Sequence, residues 1–230
     1  FKGLGLRKPD CLLNVRSSDY TELTGPMIRT LSRIDPSCVL VYGDTNSTLA
    51  AAVAAKRLNK TLIHVEAGLR SFDDRMPEEL NRIVVDHLAD VLFTPTKYTE
   101  ALLKQEGVKD GVFVVGNTIV DSVQHHLQIA EKSRILDRLD VESGNYVLLT
   151  LHRQELVDRP QQLKRVVSSL RSIDKRIVFP VHPRTLRRLR ECHLRLPRNV
   201  IRTNPLGYFA FLELLKESAL VMTDSGGVQE

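Results

Sequence analysis

Val41-Tyr42-Gly43-Asp44-Thr45 and, about twenty residues on, His64-Val65-Glu66-Ala67-Gly68-Leu69-Arg70 decide the fold. Each begins as an apolar run and stops abruptly at a carboxylate and a glycine. Cys38 to Tyr42 and Thr61 to Val65 read as buried strands, and the alanine- and leucine-rich Thr45 to Leu58 between them reads as a helix. Strand, helix and strand of these lengths make the right-handed crossover of a parallel sheet. Asp44 and Glu66 then stand where two parallel strands end on one edge, the edge at which open α/β sheets bind ligands. Two readings stand side by side. The acids are placed for chemistry, or Asp44 caps the next helix and Glu66 is a solvated loop charge.

The same alternation runs outward from this unit. Upstream, Thr21 to Ile34 reads as a helix stopped by Asp35-Pro36. Downstream, Pro77-Glu78-Glu79 opens a helix with Leu80, Ile83, Val84, His87 and Leu88 at helical spacing. Acids in a first turn are ordinary helix-start chemistry, and Glu78–Arg82 is spaced as an i,i+4 pair. Strands are expected at Val91–Pro95 and Val112–Val115, separated by a helix over Thr96–Glu106. One long helix is expected from Ile119 to Leu139.

At Gly144 the pattern restarts. Tyr146 to Leu151 is a strand ending at His152-Arg153, Pro160 to Ser172 a helix, and Arg176 to Val181 a strand ending at His182-Pro183. Arg184–Arg190 and Gly207–Lys216 read as helices around a short strand at Val200-Ile201. Ala219–Met222 is a last strand running into Thr223-Asp224-Ser225-Gly226-Gly227. The fold class is therefore α/β: two Rossmann-like domains, 1–122 and 144–230, joined by a linker helix and hinge at 123–143. If their strand ends face each other, the two domains share one cleft. The lack of an initiator methionine and the ending inside a new helix read as an excised piece of a longer protein, with both domains incomplete.

Composition bounds the partners. The chain has 230 residues, 42% of them hydrophobic, enough for a sizeable core. No apolar run reaches the roughly 18–20 residues of a membrane span, so no membrane partner is expected. Three scattered cysteines, Cys11, Cys38 and Cys192, form neither a disulfide framework nor a metal knuckle, and fit a reducing, cytoplasmic setting. The formal charge of +5 is concentrated at Arg184–Arg202, which holds seven arginines against Glu191 alone. Without interleaved aromatics, this reads as a solvated helix face and loop rather than a nucleic-acid surface.

Asp224-Ser225-Gly226-Gly227, between a strand and a helix start, has the chemistry of a phosphate cradle: the glycines let the backbone approach, and the free amides of the first helical turn point at an anion. It also reads as a plain turn. His152 at a strand end can hydrogen-bond or protonate a leaving phosphate, or be structural; His182 carries the same ambiguity. No Gly-x-Gly-x-x-Gly or P-loop is present, which weakens nicotinamide and nucleotide-hydrolysis readings.

Taken together the motifs resemble those of the UDP-N-acetylglucosamine 2-epimerases. The matching stretches are Gly43-Asp44-Thr45, His64 to Arg70, Pro77-Glu78-Glu79 with Asn81-Arg82, Gly116-Asn117-Thr118, His152-Arg153 and Asp224 to Glu230, in family order across nearly the whole chain. The resemblance implies the glycosyltransferase-B type of two-domain fold and a homodimer. It implies no redox cofactor and no essential catalytic metal. The implied reaction interconverts UDP-N-acetylglucosamine and UDP-N-acetylmannosamine. Asp44, Glu66 and Glu78 would be the acid/base carboxylates, and His152 would assist departure of the diphosphate. Ser225, Gly226 and Gly227 would hold the diphosphate, Phe211 would lie near the uracil, and Arg70 would join the substrate-binding set. A hydrolysing 2-epimerase, a UDP-sugar-dependent transferase on the same fold and an inactive UDP-binding fragment are the alternatives.

Overall fold

The computed structural model describes residues 7–17 and 19–229; the first six residues of the chain, Ser18 and Glu230, the last residue of the quoted motifs, lie outside them. The chain divides after Thr118 into two compact units.

The first unit is a parallel sheet of β1 (Cys38–Tyr42), β2 (Thr61–Val65), β3 (Val91–Thr94) and β4 (Val112–Val114), in that spatial order. Its helices are α1 (Tyr20–Ile34), α2 (Asn46–Arg57), α3 (Pro77–Leu88) and α4 (Lys97–Gln105). Asp19 starts α1 by accepting the Thr21 N–H, and Thr45 caps α2 through the Thr48 N–H. Strand alternation sends Val39, Val41 and Leu62 to one face, where they pack with Leu49, Ala52, Ala55 and Val85 from α2 and α3. Ala50, Ala52, Ala54 and Ala55 are completely buried, and such small side chains let α2 sit close to its neighbours. On the other face Leu40, Tyr42 and Phe113 stand exposed.

The second unit is a parallel sheet of β5 (Tyr146–Thr150), β6 (Arg176–Pro180), β7 (Val200–Thr203) and β8 (Leu220–Thr223), in the order β7-β6-β5-β8. Both faces are covered. Val147, Leu149, Ile177 and Phe179 pack on one side with Leu163 and Leu189. Tyr146, Leu148 and Val178 pack on the other with Ile135 and Leu214. This explains why Tyr146–Thr150 reads as a continuous apolar run rather than an alternating one. The chain builds outward from β5 to β7, then returns to place β8 on the opposite side of β5. The strand order therefore reverses between β5 and β8, which makes their C-terminal ends a topological switch point.

The single long helix expected over 119–139 is broken. It is α5 (Thr118–Ala130), a 3₁₀ turn at Glu131–Ser133, a left-handed Arg134 (φ 48°) and α6 (Ile135–Leu139). Long-range contacts set the break: Ser133 bonds Glu213, Lys216 pairs with Glu131 at 2.8 Å, and Ile135 turns fully into the core. The remaining helices are α7 (Gln154–Val157), α8 (Pro160–Ser169), α9 (Pro183–Glu191), α10 (Tyr208–Lys216) and α11 (Gly226–Gln229). Within the arginine-rich stretch, Arg184 and Arg188 of α9 both pair with Asp158, at 2.9 and 3.0 Å. No helix among the described residues is long and apolar enough to cross a membrane.

Candidate active site

In the first unit the acids lie where parallel strands stop. Asp44 follows β1 and Glu66 follows β2, whose residues pair in register from Cys38–Thr61 to Tyr42–Val65. Gly43 has φ +69°, and a Cβ there would come 3.5 Å from Glu66 Oε2, so the two strand ends lie close together. Glu66 itself has φ +66°. A non-glycine residue in the left-handed region costs roughly 1–3 kcal/mol and persists only when its surroundings hold it.

Helix α3 supplies that hold. Arg82, its side chain 8% exposed, donates from Nη1 to the Glu66 carbonyl and from Nη2 to Asp44 Oδ2, both at 2.5 Å. The same Nη2 stands 3.7 Å from Glu66 Oε2. Asn81 Nδ2 donates to the Asp44 carbonyl at 2.9 Å and to Asn46 Oδ1 at 2.8 Å. The i,i+4 pairing of Arg82 with Glu78 expected from spacing does not form, because the guanidinium is drawn inward to the strand ends. Glu78 instead faces outward and lines, with Asp44, Thr45, Asn46, Ser47 and Asn81, a cavity of about 340 Å³. The structure thus brings Asp44 and Glu78 onto one cavity and joins Asp44 to Glu66 through Arg82.

A buried network lies beneath. His64, fully buried, has Nδ1 2.7 Å from Asp86 Oδ1 and Nε2 3.0 Å from the Gly43 carbonyl. Asp86 Oδ2 accepts from the Gly68 N–H at 3.1 Å and from Arg70 Nη1 at 2.7 Å. Gly68 has φ +77°, and a Cβ there would meet the Thr99 carbonyl at 2.6 Å, so only glycine fits this contact with α4. Arg70 belongs to this network. Its side chain is 1% exposed and is fixed by Asp86 and by Glu106 at 2.6–2.7 Å. Burial disfavours its cation, but Glu106 and Asp86 outweigh that and raise its pKa. It braces α3 against α4.

Glu79, next to Glu78, has a different task. It is buried, and its carboxylate accepts from the Ser71 N–H (2.6 Å), the Ser71 hydroxyl (2.8 Å) and the Phe72 N–H (3.3 Å). Burial pushes its pKa up, but these bonds and the Arg70 charge outweigh that and hold it below the usual glutamate range. A depressed carboxylate pKa contributes stability that is present above the unfolded value and lost as pH falls through the folded one. Glu79→Gln is therefore expected to destabilise the protein by about 1–3 kcal/mol at pH 7. The gap to the unsubstituted protein should narrow below about pH 4.5, as the carboxylate that the variant lacks becomes protonated. Denaturant melts of both proteins between pH 7 and pH 3 measure this.

In the second unit the candidate groups gather at the switch point. Asp224, after β8, accepts through Oδ2 the N–H groups of His152 and Arg153, after β5, each at 2.8 Å. Arg153 Nε donates back to the Asp224 carbonyl at 3.2 Å. Asp224 Oδ1 is buried without an aligned hydrogen-bond donor, and His152 Nδ1 lies 3.0 Å from it. Thr150 and Thr223 join the two strand ends through their hydroxyls at 2.6 Å, and Thr223 Oγ1 accepts the Ser225 N–H at 2.9 Å. A Cβ on Gly227 would meet nothing within 4 Å, and one on Gly226 only Arg153 Nη2 at 3.9 Å. The Ser225–Gly227 backbone is thus open to an approaching group. His182 caps α9 by accepting the Arg184 N–H, a structural role. Phe211 on α10 is half-buried against the core of Tyr146, Leu148 and Val178.

Sequence spacing singled out Asp44, Glu66, Glu78, His152 and the Asp224–Gly227 turn, but not the contacts that position them. Arg82, Asn81, His64, Asp86 and Asp224 act across 16 to 72 residues of chain. No local period encodes such contacts.

The model of the UDP-N-acetylglucosamine 2-epimerase family matches residues 1–230. The UDP-N-acetylglucosamine 2-epimerase of Methanocaldococcus jannaschii is 43% identical over 246 residues, covering 100% of this chain and 67% of the relative. A UDP-2,3-diacetamido-2,3-dideoxy-D-glucuronate 2-epimerase of Pseudomonas aeruginosa is 41% identical over 240 residues, covering 100% of this chain and 66% of the relative. The crystal structure of the M. jannaschii enzyme in complex with UDP-GlcNAc and UDP superposes with a TM-score of 0.86 at 43% identity, over 100% of this chain and 67% of that one. This chain spans about two thirds of the length of these relatives. With the motifs, both parallel sheets and the match over its whole length in agreement, the chain belongs to the UDP-N-acetylglucosamine 2-epimerase family.

Proposed function

We propose that this chain epimerises UDP-N-acetylglucosamine at C2, giving UDP-N-acetylmannosamine, by elimination and re-addition of UDP. The observation that carries the reading is the pair of strand-end carboxylates, Asp44 and Glu66, gathered on the buried guanidinium of Arg82. The family match supplies the substrate class.

The chemistry accounts for several acids and a phosphate hold in one chain. The C2 proton has no adjacent carbonyl to acidify it, so its removal as a bare carbanion is too slow. In the proposed route a carboxylate takes the C2 proton while the C1–O bond breaks. The electron pair of that bond leaves with UDP, and C1=C2 forms a glycal. A second acid then delivers a proton to the opposite face of C2, and a diphosphate oxygen re-forms the bond to C1. Asp44, Glu66 and Glu78 serve the proton steps. His152, set by Asp224, stabilises the departing diphosphate, the open Ser225–Gly227 backbone binds it, and Phe211 lies near the uracil. The reading includes a cytoplasmic homodimer acting without cofactor, supported by the family resemblance and the three free cysteines; gel filtration with light scattering reads the dimer.

Incubation of the complete gene product with UDP-N-acetylglucosamine in heavy water tests the proposal. Deuterium at C2 with UDP still attached is expected. Free N-acetylmannosamine would instead indicate the hydrolysing reaction, and a labelled product only from UDP-2,3-diacetamido-2,3-dideoxy-D-glucuronate would reassign the sugar. No deuterium from either substrate would overturn the reading.

A further inference from the structure

Arg82 hydrogen-bonds both Asp44 and Glu66, the candidate acids at the two strand ends, and spacing alone gives it a different partner. Its geometry is specific. Nη1 is committed to the Glu66 carbonyl and Nη2 to the Asp44 carboxylate, each at 2.5 Å, with Glu66 Oε2 3.7 Å from Nη2. We propose that Arg82 is a positioning residue for proton transfer at C2, fixing Asp44 and Glu66 relative to each other so that both acids address the same carbon. The inference rests on the function proposed above.

Three features support it. The guanidinium is a planar fork whose separate nitrogens reach two acceptors at once, whereas a lysine ammonium is a point charge that cannot reproduce that span. The Glu66 backbone sits at φ +66° and relaxes unless its carbonyl is held. The Asp44 backbone is fixed independently through its carbonyl by Asn81, so the Arg82 bond to Oδ2 orients the carboxylate rather than the loop. Only one Asp44 oxygen is taken up by Arg82, which leaves Oδ1 to meet substrate on the cavity that Asp44 shares with Glu78.

Displacing a reacting group by about 1 Å costs about 100-fold in rate. Arg82→Lys and Arg82→Ala are each expected to lower kcat for C2 epimerisation by about that factor, with KM and UDP affinity within about threefold of the unsubstituted protein. Guanidinium ion added to Arg82→Ala should restore part of kcat, which a general loss of fold would not allow. Because Arg82 acts through Asp44 and Glu66 together, the losses in Arg82→Lys combined with Asp44→Asn should be well short of multiplicative. Steady-state kinetics on the complete gene product, with UDP titrations and thermal melts of each variant, make the test. An Arg82→Lys variant within about threefold of normal kcat, or multiplicative losses in the double variant, would overturn the proposal. If Arg82→Ala does not fold, Arg82→Lys and the double variant carry the test by themselves. If the unsubstituted protein exchanges no C2 proton, the proposed function fails, and the role of Arg82 with it; normal exchange with an indifferent Arg82 defeats only the latter.

Discussion

Asp44→Asn and Glu66→Gln are each expected to lower the rate of C2 deuterium exchange by about 10²–10⁴-fold, the usual contribution of one positioned acid or base. Both substitutions keep the shape of the side chain while removing its charge, which faces Arg82, and its capacity to take or give a proton. The structure argues that neither should unfold the protein. Asp44 and Glu66 are partly exposed rather than core residues, and Asn81 and Arg82 still hold their backbone carbonyls. UDP affinity should therefore stay near normal while exchange collapses. Glu66→Gly sharpens the contrast. Glycine relieves the left-handed backbone at position 66, so this variant should be no less stable than the parent and yet lose exchange to the same degree. Mass spectrometry of UDP-sugar recovered from heavy water, beside a thermal melt, reads both effects.

The second large effect is expected at the switch point. Asp224→Ala deprives the His152 and Arg153 N–H groups of their shared acceptor and removes the carboxylate 3.0 Å from His152 Nδ1. The His152 N–H is half-buried and the Arg153 N–H exposed, so losing these charge-assisted bonds costs about 1.5 kcal/mol each, the low end for bonds to a charged acceptor, and much of that should appear as looser β5 and β8 strand ends. UDP affinity is expected to fall by roughly tenfold or more, one such step being about tenfold in an equilibrium constant. His152→Ala, which spares the backbone bonds, should leave UDP affinity within about threefold and lower kcat by about 10²–10⁴-fold. Calorimetric titration with UDP separates the two variants: Asp224→Ala fails in binding and turnover, His152→Ala in turnover alone.

Much of this was legible in the sequence, for identifiable reasons. Cys38–Tyr42 and Thr61–Val65 begin and end as read, and Tyr146–Thr150 does so to within a residue. An apolar run cut short by Gly43-Asp44, Glu66 or Thr150 through Arg153 marks a parallel strand and its C-terminal end together. What was not legible came from contacts between distant residues. Burial of Ile135 and the tie of Ser133 to Glu213 break the expected long helix at Arg134, against its local pattern. Glu78 and Glu79 look alike in sequence, yet α3 turns one onto the cavity and the other onto the Ser71 loop. Arg70 closes a motif in the sequence, and only the fold shows that Asp86 and Glu106 hold it inside. Arg82 has Glu78 four residues before it and Asp44 thirty-eight before it, and the fold chooses the distant acid.

The elimination route makes a bond-level claim that one sample can test. UDP-N-acetylglucosamine carrying ¹⁸O in the oxygen that bridges C1 and the β-phosphorus is incubated with the protein in heavy water. The isotope's position is read by phosphorus NMR and deuterium at C2 by mass spectrometry. If C1–O cleavage accompanies loss of the C2 proton, the label must spread into the non-bridging β-phosphate oxygens about as fast as deuterium enters C2. Deuterium accumulating at C2 while the ¹⁸O stays in the bridge would contradict the account.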